Sequence, residues 1–422
     1  MPGNRPIVPK VLRDRGIGGV LRDIGYVSFG KYGQYLVTVV TLPLAARVLG
    51  PPGMGLLAIG MSAYFVGTLV VDLGITAFLA ARVHDAAHST RAINELRGSY
   101  AAVRAVTLSM IGLVGLVGLA LDVPAYTRMI LLGLFAGGLW SLSEDWLLIG
   151  QGRFGASILY QSVGRIAYLA LLVVLLPRHA TAAIAVLCLL VSSILTVAAT
   201  WLDAWRTFGP MGRPRDIRGV LRTGAPVLTS RLLVTSYGQG AAAIYAGILN
   251  TAALGLFTAA DRLVRAVQSL LDPIGFALLP RMARRSGEAG FWRHSLRALG
   301  AAVGAAVLAT TVIWLLAPVA IGLVFGAEFT GAVPVLRVEV LILPATTVSS
   351  YITTAVLPVQ QDTRGVLIGA ALGTGVAVIA LLIALRTHSV WTLVCGVVAA
   401  EFSVAAWYLA RMWQLSRRKA VA

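Results

Sequence analysis

The chain has 422 residues, of which 58% are apolar and only 12% charged, and its mean hydropathy is +0.84. A soluble domain carries roughly 25% charged residues, so there is too little polar surface here to face water, and the chain reads as an integral membrane protein. The net charge of +18 raises nucleic acid as a partner, but the basic residues follow membrane topology instead, as their order along the chain shows.

Residues 1–23 interleave Arg13, Arg15 and Arg22 with Leu12, Ile17 and Leu21, a cytoplasmic amphipathic segment lying on the leaflet rather than a cleavable signal. Apolar runs of spanning length then recur near 24–46, 54–81, 99–121, 127–149, 156–176 and 181–204. Six more follow near 224–247, 254–280, 298–324, 333–358, 365–385 and 390–412. The expected fold is an all-α polytopic membrane protein of 12 transmembrane helices in two six-helix lobes. An N-lobe at 24–205 and a C-lobe at 224–412 are joined by a basic cytoplasmic linker at 206–223, and a basic cytoplasmic tail occupies 413–422. Pro210, Pro214 and the linker glycines predict a flexible connector. FGAEFTGAVP at 325–334 predicts an outer-side turn.

With residue 1 inside, cytoplasmic segments hold 24 of the 35 Lys and Arg, and the other side holds only Arg47, Arg128, Arg178 and Arg386. The positive-inside rule therefore places both termini in the cytoplasm. The excess charge is spent on topology and lipid headgroups, which leaves no case for nucleic acid. The nine tryptophans fall near predicted span ends and read as interfacial anchors.

Residues 45–82, moved forward by 200 positions, lie over 245–282 without a gap. Leu49 meets Leu249, Gly55 meets Gly255, Leu56 meets Leu256, Asp72 meets Asp272 and Leu79 meets Leu279. A repeat of half the chain, with six spans before the linker, predicts two lobes running the same way about a pseudo-two-fold axis along the membrane normal. Cys188 and Cys395 sit in different spans with no CxxC, and HExxH, GxxxxGK[ST] and GxSxG are all missing. Neither a metal, a cofactor nor hydrolytic chemistry is indicated, and outer loops of only about ten residues leave little room for a catalytic domain. The chain is expected not to be an enzyme.

Four passages resemble the polysaccharide-type (Wzx-like) lipid-linked oligosaccharide flippases, of the superfamily that also holds the multidrug and toxic-compound extrusion transporters. They are AARVLGPPGMGLLAIG at 45–60 with VVDLGI at 70–75, the stretch 254–284, the stretch 324–385, and more weakly 145–176. The resemblance implies a central cavity alternating between leaflets. It implies as cargo a polyprenyl-(pyro)phosphate-linked oligosaccharide, moved from inner to outer leaflet of the bacterial plasma membrane for cell-surface polysaccharide, by a protein expected to be a monomer. A cation-coupled multidrug exporter and a lipid II flippase are the alternatives; the lipid II branch usually has fourteen spans. The coupling ion, H+ or Na+, stays open.

Charges within spans are the candidate machinery, because each costs several kcal/mol unless paired or hydrated. Lys31 and Arg231 correspond under the repeat, as do Asp72 and Asp272, so Lys31 is expected near Asp72 and Arg231 near Asp272. The two cations either pair with these acids or face each other across the cavity and hold a phosphate. Arg262 and Arg265, with Asp261, have no counterpart in the first lobe, where Met61, Ser62 and Phe65 stand. They share a helix face and form the strongest candidate for the anionic head of the cargo. Glu144 and Asp145 are candidates for a coupling cation, with a hydrated helix end the favoured reading. Arg47 is placed to gate or cap the outer end of the first helix. Glu401 and Arg104 read as packing or snorkelling groups, and Arg337 and Glu339 as an outer end close to water.

Overall fold

The computed structural model describes residues 17–85, 89–237, 241–271, 290–357, 360 and 362–421. Every regular element among them is helical. In chain order they are α1 (Ile17–Asp72), α2 (Thr76–Asp85), α3 (Thr90–Ala120), α4 (Ala125–Trp140), α5 (Asp145–Gly150), α6 (Phe154–Leu175) and α7 (Ala182–Phe208). There follow α8 (Ile217–Tyr237), α9 (Ala241–Tyr245), α10 (Thr251–Leu271), α11 (Phe291–Val324), α12 (Ala332–Glu339), α13 (Ile342–Tyr351), α14 (Thr363–Thr387) and α15 (Val390–Val421). Helix α1 is two helices, 17–49 and 51–72, meeting at Gly50, whose φ of 62° ends the first.

Nine stretches among the described residues are long and apolar enough to cross a membrane, from Val40–Asp72 to Val390–Arg417. The other three expected spans lie on the first part of α1, across 238–240 and across 272–280, where the described residues or their side chains are incomplete. Helix α3 shows how membrane polarity is written into one element. Met110, Leu113, Leu116 and Leu119 are about two-thirds exposed while Arg97 and Arg104 are buried. Leucines outward and arginines inward is the reverse of a soluble helix, and suits a helix facing lipid.

The chain divides into two compact units, residues 1–49 with 56–244, and residues 50–55 with 245–422. In the first unit, α1 and α4 touch backbone to backbone. A Cβ at Gly133 would lie 2.2 Å from the Gly60 carbonyl oxygen, and one at Gly137 would lie 1.9 Å from that of Tyr64. Small residues are what permit such an approach between membrane helices, where packing replaces the hydrophobic drive.

Residues 206–244 group with the first unit, whereas the sequence reading begins the second lobe at 224. The cause is a docked connector. Asn94 donates to the carbonyl of Phe208 (2.7 Å) and accepts, through its own carbonyl, the N–H of Gly212 (2.9 Å). The Ser99 hydroxyl oxygen accepts the N–H groups of Arg215 (3.0 Å) and Asp216 (3.1 Å), and Arg215 meets Glu95 at 2.8 Å. Gly98 lies so close to Gly212 that a Cβ would fall 1.9 Å from its carbonyl oxygen. The stretch expected to be flexible is strapped along the first turns of α3.

In the second unit, α13 and the π-turn after it (Ile352–Val356) pack against α11 and α15 through Tyr351, Ile352, Val356, Leu299, Tyr408 and Met412. Residues 51–55 lie on the start of α10. A Cβ at Gly55 would fall 1.9 Å from the Thr251 carbonyl oxygen, and one at Gly255 would fall 1.9 Å from that of Pro51. The contact is reciprocal, each partner being the other's counterpart at the 200-residue offset. The expected turn at 325–334 is present: α11 stops at Val324, Gly326 takes φ 96°, and a 3-10 turn over Ala327–Phe329 leads into α12.

Candidate functional site

Among the described residues three helix breaks each carry an acid. Helix α1 ends at Asp72, Leu73 and Gly74 take positive φ (55° and 66°), and α2 begins at Thr76. Helices α4 and α5 are separated by Ser141–Glu144. Helices α12 and α13 are separated by Val340 and Leu341, directly after Glu339. Non-helical backbone is tolerated at membrane depth only where its polar groups are satisfied inside the protein.

At the break before α5 the carbonyls of Ser141, Leu142 and Ser143 all find side-chain donors. Arg104 Nη1 donates to the carbonyls of Ser141 (2.8 Å) and Ser143 (3.0 Å), and Trp201 Nε1 donates to that of Leu142 (2.7 Å). Arg104 Nη2 reaches Glu144 Oε1 at 2.8 Å, and Arg97 Nε approaches Glu144 Oε2 at 3.4 Å. The side chains of Arg97, Arg104 and Glu144 are 2%, 0% and 0% exposed. Glu144 is therefore not a hydrated helix end, and both its oxygens are already held by guanidiniums, which leaves a coupling cation poorly served there. Arg104 is no snorkelling group either.

This cluster continues to Asp72. Arg104 lies over the Tyr100 ring (4.0 Å to its centre), and the Tyr100 hydroxyl donates to the Asp72 carboxylate. Thr76 donates to both Asp72 oxygens (2.9 and 2.8 Å), bridging the break. Trp146, expected among the interfacial anchors, is instead buried edge-on against Tyr100 at 5.7 Å. Arg97 and Arg104 offset Glu144, and Arg104 also acts on Asp72. Arg231 sits beside the same break: a Cβ at Gly74 would lie 2.7 Å from its Cδ, and its charge acts on Asp72. Arg231 thus belongs with Asp72, the acid that the repeat had assigned to Lys31. The Lys31 side chain and Asp272 lie outside the described residues. Arg47 is exposed, one turn before the Gly50 break.

Asp145 faces away from this network and accepts from Gln161 Nε2 (2.8 Å), whose carbonyl in turn accepts from Arg165 (3.1 Å). In the second unit, Arg265 Nε is held by both oxygens of Asp261 one turn earlier (2.8 and 2.7 Å). Arg265 is 47% exposed. Arg262 is half-buried on the same helix. Glu339, expected close to water, is wholly buried, and Arg337 turns away from it onto Trp314 (4.8 Å to the ring centre).

Sequence reasoning missed Arg97 and Tyr100 and undervalued Arg104 and Glu339. The first three carried a readable signal: Asn94, Arg97, Tyr100 and Arg104 recur at helical spacing on one face of α3.

Acids at helix breaks, two of them met by arginines, behind an apolar exterior fit a multi-pass membrane protein built as a transporter. Residues 20–286 match the family described as polysaccharide biosynthesis protein, and the chain belongs to that family. The putative O-antigen transporter of Escherichia coli (strain K12) is 24% identical over 269 residues, 62% of this chain and 64% of that relative, slightly under two thirds of its length. Among solved structures, the lipid II flippase MurJ in an inward closed conformation superposes with a TM-score of 0.73 at 12% identity, covering 92% of this chain and 87% of that one. An inward-facing multidrug resistance MATE family transporter of the MOP superfamily gives 0.64 at 17% identity, covering 90% and 96%. At these identities the likeness is one of fold. The relative and both neighbours are named as transporters or flippases.

Proposed function

We propose that this chain is a flippase that moves a polyprenyl-(pyro)phosphate-linked oligosaccharide from the inner to the outer leaflet of the bacterial plasma membrane by alternating access. The observation that carries this reading is family membership over 20–286, with an O-antigen transporter as a relative. In this reading twelve helices form the two lobes, 24–205 and 224–412, with both termini cytoplasmic and a basic linker and tail on that side.

The anionic head of the cargo is assigned to Lys31, Arg231, Arg262 and Arg265. Arginine suits a phosphate because its planar fork offers paired donors. Asp72, Asp261 and Asp272 balance these cations, and Arg47 gates the outer end of the first helix. Organic cations would favour an acidic or aromatic pocket, so the cationic candidates favour the phosphate lipid over a drug cation. The test is purified protein in liposomes carrying a fluorescent polyprenyl-pyrophosphate sugar, run beside ethidium efflux in cells. Flipping that falls in Arg265→Leu and Arg231→Ala at normal expression is the expected result. Ethidium efflux without lipid flipping would overturn the reading in favour of a multidrug exporter.

A further inference from the structure

Glu339 closes α12 at the helix break, and among the described residues neither of its buried oxygens accepts a hydrogen bond from a donor. The polar side chain it meets is another carboxyl, that of Asp261 on α10. Two ionised carboxylates are acceptors only, so they repel each other unless one carries a proton that bridges them. Of the two arginines on α10, Arg262 and Arg265, the second acts on Glu339 by charge while its Nε is held by both Asp261 oxygens. Among the described residues, the other titratable groups of this cluster are Tyr245 from α9 and, beside Arg265, Glu401 from α15. From α11 come Trp314, which draws Arg337 away, and the Thr310 hydroxyl, which donates to the Val340 carbonyl at 3.4 Å. Pro344 contributes to the break, because it has no N–H to return to that carbonyl one turn earlier.

An ionised Glu339 here would be a buried charge with no donor, the most costly arrangement open to a carboxyl. A metal cation would need several oxygen donors and would sit beside the Arg265 guanidinium, whereas a proton needs a single lone pair. We propose that Glu339, paired with Asp261, is a proton-binding site of the second unit, carrying its proton while buried and exchanging it with water at the break after α12. On release the carboxyl O–H bond breaks, the proton passes to a water molecule and the carboxylate remains; reloading is the reverse.

The test is pH-difference infrared spectroscopy of the purified full chain in lipid nanodiscs with no cargo, comparing wild type, E339Q and D261N. The wild type should show a buried protonated-carboxyl C=O band at neutral pH that disappears at high pH. E339Q, nearly isosteric, should lack that band. D261N should retain it and lose it at a lower pH, because both the repelling neighbour and the competitor for Arg265 are gone. An unchanged band in E339Q, an unmoved titration in D261N, or no such band in the wild type would each overturn the proposal; should E339Q not fold, D261N decides alone. Since no cargo enters the measurement, its failure and that of the flippase reading are separate outcomes.

Discussion

Replacing Arg104 by Met removes the group that holds the α4–α5 break together. The guanidinium supplies two hydrogen bonds to freed carbonyls, at 2.8 and 3.0 Å, and the short arm of the ion pair to Glu144, at 2.8 Å. All of it is inaccessible to water, so no solvent replaces what is lost. Breaking a buried pair by deleting one partner costs about 3–5 kcal/mol, because the other charge stays behind uncompensated. The two orphaned carbonyls push R104M toward the upper end of that range. With about 2–4 °C per kcal/mol for a domain of this size, the unfolding midpoint should fall by roughly 6–20 °C. The assay is thermal unfolding in detergent, followed by tryptophan fluorescence and by loss of the monodisperse peak. The double variant R104M/E144M should lose clearly less than the two single losses summed, because removing Glu144 as well removes the stranded charge; a coupling above about 1 kcal/mol is expected for groups in direct contact. A midpoint shift under 2 °C for R104M, or strict additivity, would refute the idea that this network holds the break.

Two further substitutions probe the neighbouring features. Gly74→Ala adds a Cβ 2.7 Å from the Arg231 Cδ at a residue with φ 66°, and the left-handed backbone alone costs an alanine about 1–2 kcal/mol. Adding Arg231→Ala to it should recover only part of the lost thermal stability, and full recovery would show that the backbone contributes nothing. Ser99→Ala leaves the N–H groups of Arg215 and Asp216 without their acceptor, a loss of about 1–2 kcal/mol. Trypsin should then cut at Arg213 and Arg215 about 5–30 times faster if local opening controls access, and equal rates would mean that the linker is held by other contacts.

The membrane class and the positions of nine spans were legible because they depend on composition and run length, which need no contacts, and the family was legible from the resemblance of four passages. Acids are where the reading faltered. A half-chain repeat compares each position with its copy, so it paired Asp72 with Asp272 and offered Lys31 as a neighbour. It is silent on Tyr100 and Thr76, which reach Asp72 from outside the aligned pair. Glu144 read as hydrated because nothing nearby in sequence compensates it; its partners lie 40 and 47 residues earlier. The linker's prolines and glycines suggested flexibility, yet Gly212 is what allows it to lie flat against Gly98. For Glu339, Pro344 was the visible sign that the span is interrupted.

The distance along the chain between Arg104 and Glu144 also bears on how the protein is made. A ribosome that has just finished α3 has placed two arginines in a span whose neutralising acid is still untranslated. Alone in the bilayer, an arginine near the centre of a helix costs about 2.5–3.5 kcal/mol even on the scale measured for cellular insertion. The penalty lifts only when Glu144 arrives at the end of α4. Biosynthesis therefore favours entry of α3 and α4 together as a hairpin, with the ion pair closing between them, so the same contact that holds the finished fold also sets the order in which the membrane receives it.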